Sequence, residues 1–157
     1  MQKLPLTLFA FGLFLTSSCA RPPTADASAE IIAMERASLD RWGKGDPKGY
    51  LDNFAPEMTY FDPGLEKRID GFPAMQNYLI PLTGKLHVDH YDLISPKVQQ
   101  HDDVALLTFQ LISYGKGTQT LARWNSTEVY AQVAKKWKLI HSHWSYIKPD
   151  LKAAVKE

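Results

Sequence analysis

The chain has 157 residues, 45% hydrophobic, 11% aromatic and 22% charged, which is the size and composition of one folded domain. Its 18 basic and 17 acidic side chains leave a net charge of +1, which speaks against a nucleic-acid partner and against membrane attachment by charge alone. The single cysteine excludes an intrachain disulfide and any Cys-rich metal site.

Residues 1–18 read as an export signal. Lys3 supplies a short positive start, and Leu4 to Leu15 is an apolar run too short for a spanning helix, which takes ~20 residues. Thr16, Ser17 and Ser18 then lead into Cys19. Small residues before a lone cysteine resemble the lipobox of bacterial lipoproteins, although Thr16 stands where leucine is usual. The resemblance implies cleavage before Cys19, lipidation of that cysteine and a place in the bacterial envelope or periplasm, with lipid as the only membrane attachment. The alternative is an ordinary signal peptide cut near Ala20. Removal of residues 1–18 takes away Lys3 and no acid, so the mature chain is neutral. Residues 19–29 read as the lipidated end and a Pro-containing tether, 28–148 as the domain and 149–157 as a tail.

From about Ser28 the pattern is helical. Ile31, Ile32, Leu39 and Trp42 fall on one stripe, and Gly43 and Gly45 end it. Asp46-Pro47 offers a cap and a first-turn proline for a short second helix running to about Phe54, which Ala55-Pro56 ends. Met58 to Asp62 is a short strand, and Asp62-Pro63-Gly64 suits a type II turn. A third helix fits Phe72 to Ile80 and stops at Pro81. Strands follow near 85–98, 103–114, 121–133 and 136–147, the last two joined by a short turn around 134–136. Helices followed by a run of strands predict an α+β fold with a mainly antiparallel sheet. No repeat or Gly-rich phosphate loop is present, so no cofactor is expected.

Helices, then strands, in this order resemble the nuclear transport factor 2-like (cystatin-like) superfamily, whose strongly curved sheet wraps the first helix into a cone with a pocket. Gly45-Asp46 followed by Tyr50, then Tyr60-Phe61-Asp62-Pro63 and Asp70-Gly71, are similar to SnoaL-like domains and ketosteroid isomerase. Pro96-Lys97-Val98, Asp102-Asp103, Thr127-Glu128-Val129-Tyr130 and Lys136-Trp137 running into His141-Ser142-His143-Trp144-Ser145 are similar to the association domain of calcium/calmodulin-dependent protein kinase II. A kinase domain does not fit in the chain, so kinase activity does not come with the likeness. The resemblance implies an unknown small molecule in the pocket and a homodimer or larger homo-oligomer.

Two carboxylates are the candidate catalytic residues. In the isomerase the aspartate matching Asp62 is the general base; Asp at this place also suits the first position of a turn. Glu128 falls where the isomerase holds a protonated acid that donates to the enolate oxygen, and where the kinase domain has arginine. A strand from Arg123 to Val133 puts Trp124, Ser126, Glu128 and Tyr130 on one face. With Tyr60 and Trp144 these form the expected substrate-binding set, the alternative for Glu128 being an exposed strand position. The isomerase's helix-borne tyrosine falls at Ser38 here, so another tyrosine would have to replace it. His141 and His143, expected on one face with Leu139 and opposite Ser142 and Trp144, lack a third ligand by spacing, so no metal is expected. His87 and His90 would lie on opposite faces of one strand.

Overall fold

The computed structural model describes residues 26–148; the expected export signal, Cys19 and the tail at 149–157 lie outside them. Helix α1 spans Ser28–Gly43, α2 Lys48–Leu51 and α3 Phe72–Leu79, the last continued by a 3-10 turn at Ile80–Leu82. The strands are β1 Phe54–Phe61, β2 Ile69–Asp70, β3 His90–His101, β4 Val104–Tyr114, β5 Thr120–Val133 and β6 Lys136–Tyr146. They form a six-stranded sheet in the order β2-β1-β6-β5-β4-β3. β1 is parallel to β6, and every other pair is antiparallel. The fold is therefore α+β with a mainly antiparallel sheet, as its element order predicts.

The helices cover one face of that sheet. Ile31 and Leu39 from α1, Met75 and Leu79 from α3, and Met58, Leu107, Phe109, Trp137 and Leu139 from the strands make a continuous apolar core. Along β4 the burial alternates strictly, so Ala105, Leu107, Phe109, Leu111 and Ser113 face the core. Asp46 caps the second helix as expected, its Oδ1 accepting the Lys48 N–H at 3.0 Å. At Gly49 the two helices almost touch: a Cβ there would lie 2.8 Å from the Arg41 Cβ and 2.9 Å from the Ser38 carbonyl oxygen. Ser38 Oγ donates to the Gly49 carbonyl at 3.0 Å across this contact. Position 38 thus serves helix packing, and no phenol is needed there.

Several expectations are corrected. β1 begins at Phe54, so Ala55-Pro56 lies inside the strand and does not end a helix. The register slips between Phe54 and Thr59, and that irregular stretch admits a proline without an amide donor. β3 begins at His90, not near 85; Gly84 and Val88 instead bond back to the Gly45 and Gly43 carbonyls, pinning this segment to the end of α1. His87 is therefore not a strand residue. The Asp62 turn closes through the Leu65 N–H to the Asp62 carbonyl, but Gly64 is not among the positive-φ residues, which a type II turn requires. The Asp62 carboxylate accepts the Gly64 N–H at 2.8 Å, a bond that holds the glycine in place from the other side. Finally, β6 carries a bulge. Val129 pairs with His141 but Tyr130 pairs with Leu139, leaving Ile140 as the extra residue. The bulge switches Leu139 to the core face with Ser142 and Trp144, and leaves His141 and His143 on the outer face without it.

Candidate functional site

The inner sheet face carries two polar levels. The lower one is a pair of buried glutamates, Glu35 from α1 and Glu128 from β5, both with 0% exposure. Tyr50 donates to Glu35 Oε1 at 2.7 Å, and Tyr130 donates to Glu128 Oε2 at 2.9 Å while lying 3.4 Å from Glu35 Oε2. Ser142 Oγ donates to Glu128 Oε1 at 3.3 Å, and the Trp144 indole N–H donates to Ser142 Oγ at 2.9 Å. Burial raises both carboxyls above their ordinary value, Glu128 the more, because the Glu35 charge and its hydrogen bond add to the effect. Two like charges buried side by side disfavour each other, so the pair as a unit keeps a proton above the ordinary glutamate range. Burial likewise pushes the Tyr50 and Tyr130 phenols well up, so both stay neutral donors.

Above this level an open cavity of about 360 Å³ is walled by the aromatic side chains of Trp42, Tyr50, Tyr60, Trp124, Trp144 and Tyr146 together with aliphatic ones, Leu39, Leu111 and Leu121 among them. The Trp124 and Trp144 rings stand perpendicular, 89° apart with centroids 6.0 Å from each other. Trp124 donates its N–H to Ser113 Oγ at 3.2 Å, and Trp144 spends its own on Ser142. The one acidic wall residue among those described is Asp62, whose Oδ2 accepts the Tyr60 hydroxyl at 3.1 Å. Burial first, and the Asp62 charge second, push the Tyr60 phenol well above its usual range. A narrow crevice of about 30 Å³ between Trp42, Tyr50, Tyr60 and Trp144 reaches down to Ser142. It has room for about one water-sized group.

The structure brings Asp62, Tyr60, Trp124 and Trp144 together at the cavity wall. Glu128 and Tyr130 sit one layer below, joined to the wall through Ser142 and Trp144. Ser126 lies on the same inner strand face, 3% exposed, and its Oγ is a buried side-chain oxygen without a hydrogen-bond partner. Asp62 serves the turn and the cavity at once. His141 lies on the outer face, where its Nδ1 is 2.8 Å from Thr59 Oγ1 and burial pulls its titration down. Among the described residues no group of three or more His, Cys, Asp or Glu is placed to hold a metal.

Sequence reasoning missed Glu35, Tyr50 and Ser142. One signal was available for Glu35: it lies four residues after Ile31 and four before Leu39, in the middle of the apolar stripe of α1. Tyr50 brings a phenol from α2 to the carboxyl pair, where its hydroxyl is engaged by Glu35.

The helix-backed mixed sheet has the fold of nuclear transport factor 2-like proteins, and the aromatic cavity opens on its inner face. Residues 27–148 match the family described as calcium/calmodulin dependent protein kinase II association domain, and the chain belongs to that family. A Parabacteroides distasonis protein proposed to be a ketosteroid isomerase is similar to it at 35% identity, over 80% of this chain and 91% of that one, with a TM-score of 0.69. A Pseudomonas putida nuclear transport factor 2-like protein of unknown function shares 21% identity over 76% and 85% of the two chains, with a TM-score of 0.67. The S. rosetta calcium/calmodulin-dependent protein kinase II hub shares 21% identity over 80% and 100%, with a TM-score of 0.62. The last two likenesses concern the fold. No curated protein matches the chain.

Proposed function

We propose that this chain is a pocket protein of the bacterial envelope that takes a small molecule into the aromatic cavity beside Asp62. The observation that carries this reading is the cavity itself. Its volume of about 360 Å³ lies at the lower end of small-molecule sites, which run from ~300 to ~1,000 Å³. Mostly apolar walls with one convergent carboxylate are the composition such sites have. In this reading Trp124, Trp144 and Tyr60 contact the ligand, and Asp62 is the polar anchor or, if the ligand carries an acidic C–H beside a carbonyl, the proton acceptor. Glu128, Ser126 and Tyr130 act from below as positioning residues. Export and lipidation at Cys19 belong to the same proposal and rest on residues 1–19 alone.

A second reading, compatible with the first, is self-association through the outer sheet face. Phe61 is 42% exposed and packs on His141 and His143 with ring centroids 6.1 and 5.6 Å apart. Leu106, Thr127 and Val129 continue this face as half-buried side chains, and a hub domain is among the structural relatives.

Native mass spectrometry of the protein purified without refolding tests both. A dimer or larger species with a retained small molecule, lost on Trp124→Ala, is the expected result. An empty species that also takes up no small apolar ring compound removes the pocket reading, and a strict monomer at micromolar concentration removes the association reading.

A further inference from the structure

We propose that the cavity is built for an organic cation: a quaternary or tertiary ammonium group carried on a flat apolar body. The inference rests on the reading of this cavity as a ligand site and names the ligand's chemical class.

Three observations converge. The first is charge. Asp62 brings a carboxylate to the wall, and among the described residues no Lys or Arg lines it. Among the described residues Asp62 has no ion pair either; its hydrogen-bond partners there are the Tyr60 hydroxyl and the Gly64 N–H. The remaining titratable nitrogen on the wall is His87, exposed at the rim, where solvent screens it.

The second is donor supply. An anion, or a carbonyl to be polarised, needs N–H or O–H groups directed at it. The indole N–H groups of Trp124 and Trp144 are already spent on Ser113 and Ser142, and the Tyr60 hydroxyl on Asp62. The Tyr50 hydroxyl is spent on Glu35. Four of the wall's donors are thus engaged within the protein, and beside them the wall offers acceptors and ring surfaces, with the Trp42 indole N–H and the Tyr146 hydroxyl as further donors.

The third is ring geometry. An aromatic face carries the negative part of the ring quadrupole, and cations bind over it. Trp124 and Trp144 meet at a right angle, and Trp42 and Tyr50 at 80°, so the wall has corners made of two rings each. Tyr146 extends the first corner, 4.4 Å from Trp124 between ring centroids. Such a corner accepts an alkylammonium group on two sides, with Asp62 supplying the counter-charge.

The test uses three probes of one shape. These are (4-hydroxyphenyl)trimethylammonium, its neutral carbon isostere 4-tert-butylphenol, and the anion 4-hydroxybenzenesulfonate. Binding to the full-length chain is followed through the indole N–H resonances of Trp124 and Trp144. The expected result is that the cation binds at least tenfold more tightly than the neutral isostere, that the anion is weakest, and that Asp62→Asn removes the difference between cation and isostere. Asn keeps an acceptor for the Gly64 N–H, so the turn survives; Trp124→Leu is the second variant, expected to weaken the cation more than the isostere. Equal binding of cation and isostere, or tighter binding of the anion, overturns the cation class and leaves the pocket reading intact. Failure of all three probes to move either indole overturns both.

Discussion

The two polar levels of the inner face hold the same kinds of residue and behave oppositely. Below, Glu35, Glu128, Tyr50, Tyr130 and Ser142 bond one another with no solvent contact for the carboxyls. Above, Asp62, Tyr60 and the tryptophans line an open cavity. The lower carboxyls are hydrogen-bonded within the protein, so they hold the fold together and touch the cavity only at second hand, through Tyr50 and through Ser142 and Trp144. The upper carboxylate has spare acceptor capacity and open space in front of it. Residue type alone thus does not make a site; unspent hydrogen-bonding capacity facing a void does.

The comparison predicts unequal responses to mutation. Glu35→Ala has the largest effect. It leaves the Tyr50 hydroxyl without its acceptor and opens space in a packed layer, a loss of about 3–5 kcal/mol. Urea denaturation checks this, and a loss below about 1 kcal/mol would mean that the pair is far less interlocked than its hydrogen bonds indicate.

Gly49→Ala comes next. Its methyl would enter the 2.8 Å gap to the Arg41 side chain and push away α2, the helix that delivers Tyr50 to Glu35. A loss of about 1–3 kcal/mol is expected.

Glu128→Gln changes the pH dependence more than the stability at any one pH. The folded protein holds a proton on Glu128 above 4.5, the ordinary glutamate value, at which the unfolded chain releases it. The pair's contribution is therefore complete below that value and declines as pH rises towards the folded-state titration. Wild type should therefore lose stability from this source between acid and mildly alkaline pH, and Glu128→Gln should flatten the decline. Equal slopes in the two proteins would show that the buried pair is not what titrates.

Asp62→Asn is the smallest in stability, within about 0.5 kcal/mol, because the turn keeps its acceptor. If instead it unfolds the protein, Asp62 belongs with the lower level and the contrast between the levels fails.

Much of this arrangement was legible in the residues, and the illegible parts have physical reasons. The period of two in β5 put Trp124, Ser126, Glu128 and Tyr130 on one face, and burial shows that face to be the inner one, because a half-buried strand cannot hide its alternation. The same rule failed one strand later. The bulge at Ile140 inserts a residue, so counting in twos placed Leu139 with His141 and His143. The start of β1 was lost at Pro56, which reads as a terminator unless the local register is known to be irregular. Glu35 was lost because a glutamate on a helix is read as solvated; only the Tyr50 and Tyr130 hydroxyls and the hydrogen bond shared with Glu128 make its burial bearable, and those come from α2 and β5. Partners distant in sequence leave no local trace.

The position of β6 in the sheet has a consequence for synthesis. It is the last of the described strands, yet it lies between β1 and β5, and its one parallel neighbour is the first of them. Apart from β2, β1 therefore has no strand to pair with until residues 136–146 have left the ribosome, whereas α1 can already pack on β3, where the Ala27 N–H donates to Gln100 and the Tyr91 hydroxyl to Asp40. The antiparallel ladder from β3 to β5 can pair earlier, through neighbours in sequence. The domain is thus closed from its far end, and while the final strand is delayed both flanking edges remain open to mispairing or capture by a chaperone.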